Sequence, residues 1–259
     1  MPTVSNDGVS LHYEVDGAGT PVVFVNEAGF GGWSWGWQHR AVTGPYRSVV
    51  WDLRGTGRSD APDGPYELET LVDDLEAILQ ALDARNAHVV GAGLGGVVAL
   101  QAARDSTRIE TLTVIGTPAR AEAVDRDALV VDRDRTALRA STESLLSSSF
   151  RAEQPDVVDG IVEWREDGDA DPASTRAQLD AASGFDATAW GYELTTPTLV
   201  LHGSDDLVVP HDAGRRLAES LPRGELRSID GSDHLPQIER SRAVNDHLLG
   251  FLADQTDDE

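Results

Sequence analysis

The stretch Val89-Val90-Gly91-Ala92-Gly93-Leu94-Gly95-Gly96 decides the fold of this 259-residue chain. It closes a short apolar run, turns through glycines and opens an apolar helical run. A strand that passes directly into a helix is the repeating unit of a parallel α/β sheet. Glycine suits such a turn because it adopts backbone conformations that other residues avoid and lets neighbouring chain segments approach closely. We therefore predict an α/β fold with a tight strand-to-helix turn centred on Gly93.

Strands and helices alternate on both sides of this turn. The best helical pattern runs from Leu68 to Leu82, where apolar residues recur every three or four positions. Several strand-like runs are continuously apolar, which is typical of parallel strands covered on both faces. We predict a mostly parallel, doubly wound sheet with strands at Val9–Val15, Pro21–Asn26, Arg47–Leu53, Ala87–Gly91, Thr111–Ile115, Thr198–His202 and Glu225–Ile229.

Residues 119–192 interrupt this alternation. The segment carries no convincing strand, but apolar residues occur at helical spacing over Ala128–Ser149, Val157–Glu166 and Thr175–Ala182. These apolar residues favour a folded insertion over a linker. We predict a helical insertion at 119–192, late in the chain, and one α/β core domain made of residues 1–118 and 193–259.

The charge of the chain excludes several classes of partner. It has 21 basic and 45 acidic residues, a formal net charge of −24, and its basic residues are all arginine. A surface this negative repels nucleic acids and anionic membranes, so we expect neither as a partner. The sequence has no cysteine, which excludes disulfides and thiolate chemistry.

The same composition suggests where the protein works. The N-terminus lacks the basic and apolar segments of a secretion signal, and no apolar run is long enough to span a membrane, so we expect a cytoplasmic protein. Excess acid repels itself unless salt screens it, which favours a salt-accumulating halophile as the source. An acidic protein from a GC-rich mesophile is the alternative.

Two polar side chains follow late strands of the predicted sheet. Asp206 lies in the segment Leu201–Pro210 and His234 in the segment Asp230–Pro236, each just past a strand. Loops at the carboxyl ends of parallel strands converge on one crevice, so both side chains are expected to meet near Gly93. A carboxylate beside a histidine fixes the imidazole tautomer and stabilises its charged form. The two residues are therefore candidates for a proton-transfer pair.

The glycine-rich turn allows two interpretations. Gly91, Gly93 and Gly96 fit the spacing G-x-G-x-x-G of dinucleotide loops, but the acidic residue expected about 20 residues later on a second strand is not evident. The strand–turn–helix context also fits G-x-S-x-G, the turn that carries a catalytic serine, with Gly93 in the serine position.

With these motifs in order, the sequence resembles the α/β-hydrolase superfamily over nearly its whole length, in particular its capped, cofactor-independent ester- and lactone-hydrolase branch. Trp51–Asp60 is similar to the family's D-x-R-G-x-G-x-S loop, and Asn26–Gly31 takes the place of its H-G-x loop. The chain order of Gly93, Asp206 and His234 matches the family's order of nucleophile, acid and histidine.

The resemblance implies a function and further site residues. It implies hydrolysis of a small-molecule ester, lactone or related C–O or C–C bond without a cofactor, by a monomer or homodimer. The backbone N–H groups of Ala28 and Leu94 correspond to the family's oxyanion donors, and residues 119–192 are similar to its mobile cap. The remaining histidines show no metal-ligand spacing, so we expect no metal site.

Two departures from the family pattern bear on mechanism. Gly93 replaces the nucleophile, which closes the acyl-enzyme route at that position. Four interpretations stay open. His234, held by Asp206, acts as a general base on water or substrate; the protein is an inactive pseudo-hydrolase that binds a small ligand or partner; the chain is a Ser→Gly variant of a serine hydrolase; or the nucleophile is supplied from elsewhere.

The second departure is Asn26-Glu27 in place of His-Gly. An inward Glu27 would be a second acid or base, and an outward one would be another solvated surface acid, which is the interpretation we favour from sequence. The candidate pocket residues are Asn26, Glu27, Phe30, Trp33 and Thr117.

Salt is expected to stabilise the protein. Screening relieves repulsion between carboxylates, so the thermal midpoint should be higher in about 2–3 M KCl than in dilute buffer. A melt at the two salt concentrations tests this. Chloride is the suitable anion because kosmotropic anions also strengthen apolar burial. An unchanged midpoint, or a higher one at low salt, would contradict the halophile interpretation.

Overall fold

A computed structural model describes residues 2–256, which form one eight-stranded sheet. The strands lie in the order β1-β2-β4-β3-β5-β6-β7-β8. β2 pairs antiparallel with β1 and β4, and all the pairs from β4 onward are parallel, which confirms the predicted mostly parallel sheet. The strands are β1 (Thr3–Asn6), β2 (Val9–Asp16), β3 (Pro21–Val25), β4 (Arg47–Trp51), β5 (Ala87–Ala92), β6 (Ile109–Ile115), β7 (Thr198–Gly203) and β8 (Gly224–Ile229).

Helices cover both faces of this sheet. α1 and α10 bury apolar residues on one face, and α2, α3 and α8 pack on the other. The central strand β5 is buried along its whole length, as its continuous apolar run predicts. The helices are α1 (Gly36–Val42), α2 (Leu68–Ala81), α3 (Leu94–Asp105), α4 (Arg135–Ser144), α5 (Ser148–Glu153), α6 (Pro155–Gly168), α7 (Pro172–Ala181), α8 (His211–Ser220), α9 (Pro236–Glu239) and α10 (Ser241–Thr256). Across residues 2–256 none of the helices has the length and hydropathy needed to cross a bilayer.

The sequence prediction missed strand β1. This strand forms a hairpin with β2 through Asp7 and Gly8, whose φ angles are +49° and +81°. Two consecutive positive φ angles characterise the tight hairpin turn that Asp-Gly favours. The dipeptide was therefore an available signal, but the strand before it is too short and polar to show a clear alternation.

The predicted insertion lies between β6 and β7, where four α-helices, α4 to α7, follow one another. An isolated antiparallel bridge between Arg120 and Asp186 joins the two ends of this segment. The predicted helix at Ala128–Ser149 divides into α4 and α5. Asp134 caps the first with its carboxylate on two backbone N–H groups, and Ser147 caps the second.

A buried ion pair fixes the loop that follows β4. The Arg54 guanidinium donates to Asp74 on α2 through Nε and Nη2, at 2.6 Å each. Asn6 Nδ2 donates to the same carboxylate at 2.8 Å. Asp74 is fully buried, so its charge is balanced by Arg54 and its oxygens are satisfied inside the protein.

Asp74→Ala should destabilise the fold strongly. Removal of one partner leaves the buried Arg54 charge uncompensated, which typically costs about 3–5 kcal/mol. Urea unfolding measures the free energy. The matched control is Glu219→Ala, which removes the exposed ion pair with Arg215 on α8 and should change the free energy of unfolding much less. Equal effects of the two substitutions would show that the Arg54–Asp74 pair does not hold this loop.

Candidate active site

The strand-to-helix turn places Gly93 at the centre of the site. β5 ends at Ala92, α3 begins at Leu94, and Gly93 between them has a φ of +46°. Its missing side chain leaves a space that another residue fills. A Cβ placed on Gly93 would meet the Glu27 carboxylate, with Oε2 at about the separation of a covalent carbon–oxygen bond. Any side chain at position 93 therefore excludes Glu27 from its present position.

Glu27 points into the protein, and the favoured outward orientation was wrong. Glu27 is 4% exposed. Oε1 accepts the backbone N–H of Ala28 at 2.6 Å and that of Leu94 at 3.0 Å. Oε2 lies 3.3 Å from Nε2 of His234. A buried carboxylate is tolerated when donors surround it, and these three groups satisfy that requirement.

Asp206 and His234 meet as predicted from their positions after β7 and β8. His234 Nδ1 lies 2.9 Å from Asp206 Oδ2, and both residues are buried. The other oxygen of Asp206 accepts the backbone N–H groups of Val208 and Val209, each at 2.9 Å. His202, on β7, lies 3.4 Å from Asp206 Oδ2 and is fully buried. These contacts fix the carboxylate, which in turn orients the His234 ring.

The three side chains form a chain of charges: Glu27, His234, Asp206. Each ring nitrogen of His234 faces a carboxylate oxygen, and an imidazolium satisfies both contacts because both of its nitrogens donate. Burial opposes this charge, but Asp206 and Glu27 together raise the pKa of His234 to about 10. The pKa of Asp206 is lowered although burial opposes ionisation, because His234 and His202 face it. His234 is consequently an acid in the resting protein.

A cavity of about 300 Å³ opens onto this chain. Glu27, Gly93 and Leu94 form its floor beside the turn, and residues of the insertion contribute most of its walls. The walls are mainly apolar, with Glu122, Arg126 and Ser183 as polar exceptions; the remaining lining residues are Val97, Pro118, Ala121, Val124, Leu179, Ala182 and Val209. The cavity can enclose a small, mostly apolar molecule next to Glu27.

Comparison with known proteins agrees with this geometry. The family model described as "alpha/beta hydrolase fold" matches residues 21–241. The chain belongs to the α/β-hydrolase family. It is 31% identical to a protein of Variovorax paradoxus (strain S110) that is provisionally named the carbamate hydrolase RutD, over 94% of this chain and 96% of that protein.

Other relatives of this α/β-hydrolase carry different names. It is 30% identical to the non-heme chloroperoxidase CPO-A1 of Kitasatospora aureofaciens, over 89% of this chain and 90% of that protein. The enol-lactonase of Burkholderia xenovorans LB400 superposes with a TM-score of 0.85 at 25% identity, over 97% and 100% of the two chains. These relatives carry the names of several different activities, so family membership does not determine the chemistry of this site. That chemistry depends on the residues of the site itself.

Of the five predicted pocket residues of the α/β-hydrolase, Glu27 lines the cavity and the other four lie elsewhere. Asn26 is buried. Its Nδ2 donates a hydrogen bond to Trp51 O, and its Oδ1 accepts one from Trp35 Nε1. Thr117 is buried behind the turn, where its hydroxyl donates to Ile115 O. Phe30 is buried under the Arg165 guanidinium, and Trp33 lines a separate surface cleft with Trp164.

Two functional positions were missed because they act across long sequence separations. Gln178 on α7 accepts the Gly29 N–H and donates to Arg54 O, each at 2.8 Å, so it fixes the loop that carries Glu27. Glu239 accepts the backbone N–H groups of Asp233 and Ser147, at 2.8 and 2.9 Å, and so ties the His234 loop to α5. Neither residue stands in a recognisable motif. Across residues 2–256, no group of three or more acidic or histidine side chains is arranged to hold a metal ion.

The charge of His234 should appear in its titration. The ring should stay an imidazolium from about pH 6 to 8, because its pKa near 10 exceeds the ordinary value of 6.5. Glu27→Gln removes one of the two facing carboxylates and should lower the pKa. Histidine-selective NMR over a pH series measures both. Titration of His234 near pH 6.5 in the parent protein would contradict the charge assignment.

The same shift affects stability with a defined sign. Between about pH 6.5 and 10 the folded protein binds one more proton at His234 than the unfolded chain, so this group's stabilising contribution falls as pH rises. The free energy of unfolding should therefore decline less steeply in His234→Gln than in the parent over this range. Identical slopes would argue against a shifted His234.

Proposed function

We propose that the protein is a cofactor-independent hydrolase that cleaves an ester, lactone or related C–O or C–C bond of a small, mostly apolar molecule. The observation that carries the proposal is the buried chain of Glu27, His234 and Asp206, whose Glu27 end lines a mainly apolar cavity. Family membership supports hydrolysis in general, and the names of the lactonase and carbamate-hydrolase relatives fit the proposed bond types.

In this proposal Asp206 and His234 transfer protons at the cavity floor. Asp206 holds the ring through Nδ1, so Nε2 faces the reacting groups. The backbone N–H groups of Ala28 and Leu94, which donate to Glu27 Oε1 in the resting protein, are the oxyanion donors of this proposal. The general-base role predicted for His234 needs one revision. The ring must first lose a proton, since both nitrogens donate in the resting protein.

The glycine at position 93 fits a natural arrangement better than a laboratory Ser→Gly variant. A serine side chain at this position would overlap the Glu27 carboxylate. Glu27 also has its hydrogen bonds satisfied where it lies. A serine hydrolase with Glu27 in this conformation is therefore sterically excluded, which favours Gly93 and Glu27 as a matched pair.

One observation favours a second candidate function. The oxyanion donors are occupied by the protein's own Glu27 carboxylate. A permanently occupied site would suit a protein that binds a small molecule without converting it. In that case a ligand would raise the melting temperature of the protein. The parent protein and its Glu27, His234 and Asp206 variants would all show no turnover.

His234→Ala should lower kcat/KM by about 10²–10⁴-fold, the usual size of an acid–base contribution. The assay uses a panel of short p-nitrophenyl esters and aliphatic lactones. The control is His247→Ala, on α10 at the opposite face of the sheet, which should leave the rate unchanged. Full activity of His234→Ala would refute the proposed machinery, and ligand-induced stabilisation without turnover would favour the binding function.

A further inference from the structure

We infer that Glu27 is the nucleophile of this enzyme, and that it attacks the saturated carbon of a strained lactone, which opens with its carboxylate as the leaving group. The inference rests on the proposed hydrolase function and deepens it. It assigns a catalytic role to a residue outside the turn at Gly93, and it names the side of the C–O bond that breaks.

The position of Oε2 favours Glu27 as the nucleophile. This oxygen lies at bonding separation from the site of a Cβ at position 93, which is the distance that a serine hydroxyl oxygen would have. It contacts His234 Nε2 at 3.3 Å, as a nucleophile in a triad does. Glu27 also lines the cavity, so a bound molecule can reach its carboxylate. A carboxylate here has the partners and the access of a nucleophile.

The position of Oε1 decides which carbon it attacks. Oε1 accepts both backbone donors, Ala28 N–H and Leu94 N–H, so a substrate carbonyl oxygen finds no free donor there. Attack on an acyl carbon would leave its oxyanion unstabilised. Displacement at a saturated carbon develops no such oxyanion. The same two donors then become useful when water attacks the ester formed on Glu27, because the negative charge develops on Oε1.

The atoms and charges of this sequence balance. Oε2 forms a bond to the saturated carbon, and the lactone C–O bond breaks with its electron pair on the departing carboxylate. Esterification removes the Glu27 charge, so His234 loses one of the two carboxylates that hold its proton and releases that proton to solvent. Neutral His234 then deprotonates water, which attacks Cδ of Glu27. Collapse breaks the Cδ–Oε2 bond, and Oε2 departs as the alcohol oxygen of the product. This oxygen takes the proton of the newly formed Glu27 carboxylic acid, so the hydroxy acid leaves as its carboxylate and Glu27 is again a carboxylate beside a protonated His234.

The cavity wall carries a positive charge that can pair with the leaving carboxylate. Arg126 is the cationic side chain among the described residues that line the cavity, and its guanidinium also contacts Asp180. A guanidinium pairs favourably with a carboxylate through parallel N–H bonds. A leaving carboxylate needs no proton, which suits a site whose acid, His234, lies on the nucleophile's side.

Enantiopure β-butyrolactone tests the inference with the intact protein. Displacement by Glu27 inverts the stereocentre, so the product is β-hydroxybutyrate of the opposite configuration; attack on the acyl carbon retains it. In oxygen-18 water, the peptide that carries Glu27 should gain the heavy isotope. Glu122, the other carboxylate among the described lining residues, is the internal control and should stay unlabelled.

Two variants complete the test. His234→Gln should accumulate an ester on Glu27, visible as a mass increase equal to the lactone, because the water-activating base is absent. Glu27→Gln keeps the shape of the side chain and should lower kcat/KM at least about 10²-fold with no adduct. Retained configuration, or an unlabelled Glu27 after turnover, overturns the nucleophile assignment.

The two proposals fail in different ways. Hydrolysis of p-nitrophenyl acetate or γ-butyrolactone without hydrolysis of β-butyrolactone leaves the hydrolase function in place and overturns the inference about the substrate. No hydrolysis of any of these compounds overturns both.

Discussion

The Glu27 carboxylate occupies the space that any side chain at position 93 would need. The arrangement of the site follows from this steric exclusion. Because position 93 has no side chain, Glu27 turns inward and takes both backbone donors of the adjoining loops. The buried negative charge then needs a counter-charge, and His234 supplies it. His234 is in turn charged because Asp206 and Glu27 face its two ring nitrogens. The missing side chain at position 93 thus lets a second carboxylate reach His234.

Residues between β6 and β7 contact the Glu27 loop directly and the His234 loop through Glu239. Gln178 and Asp169 bond the backbone of the Glu27 loop, and Glu239 joins the His234 loop to the start of α5. These partners are buried, and breaking any of them would leave unpaired polar groups in the interior. Residues at the start of α5, at the end of α6 and on α7 therefore anchor the two loops that carry Glu27 and His234.

Much of this was available from the sequence, for a physical reason. The sheet was predicted because buried parallel strands are continuously apolar, and Asp206 and His234 were predicted because residues just past such strands meet at one edge. The orientation of Glu27 was not predictable in the same way. An acid among 45 is normally exposed, and only the three-dimensional proximity of Ala28, Leu94 and His234 offsets its burial. Gln178 was missed because its partners lie 149 and 124 residues away along the chain, and Glu239 because its bond to Ser147 spans 92 residues.

The overlap between position 93 and Glu27 also constrains how such a protein can evolve. A serine introduced at 93 alone meets the carboxylate, and a glycine introduced at 27 alone leaves an empty donor pair and a histidine without its second partner. Each single change is unfavourable in the background of the other residue. Conversion between this arrangement and a serine-bearing turn therefore requires both positions to change together. The two states are separated by epistasis between neighbouring loops and share the same fold.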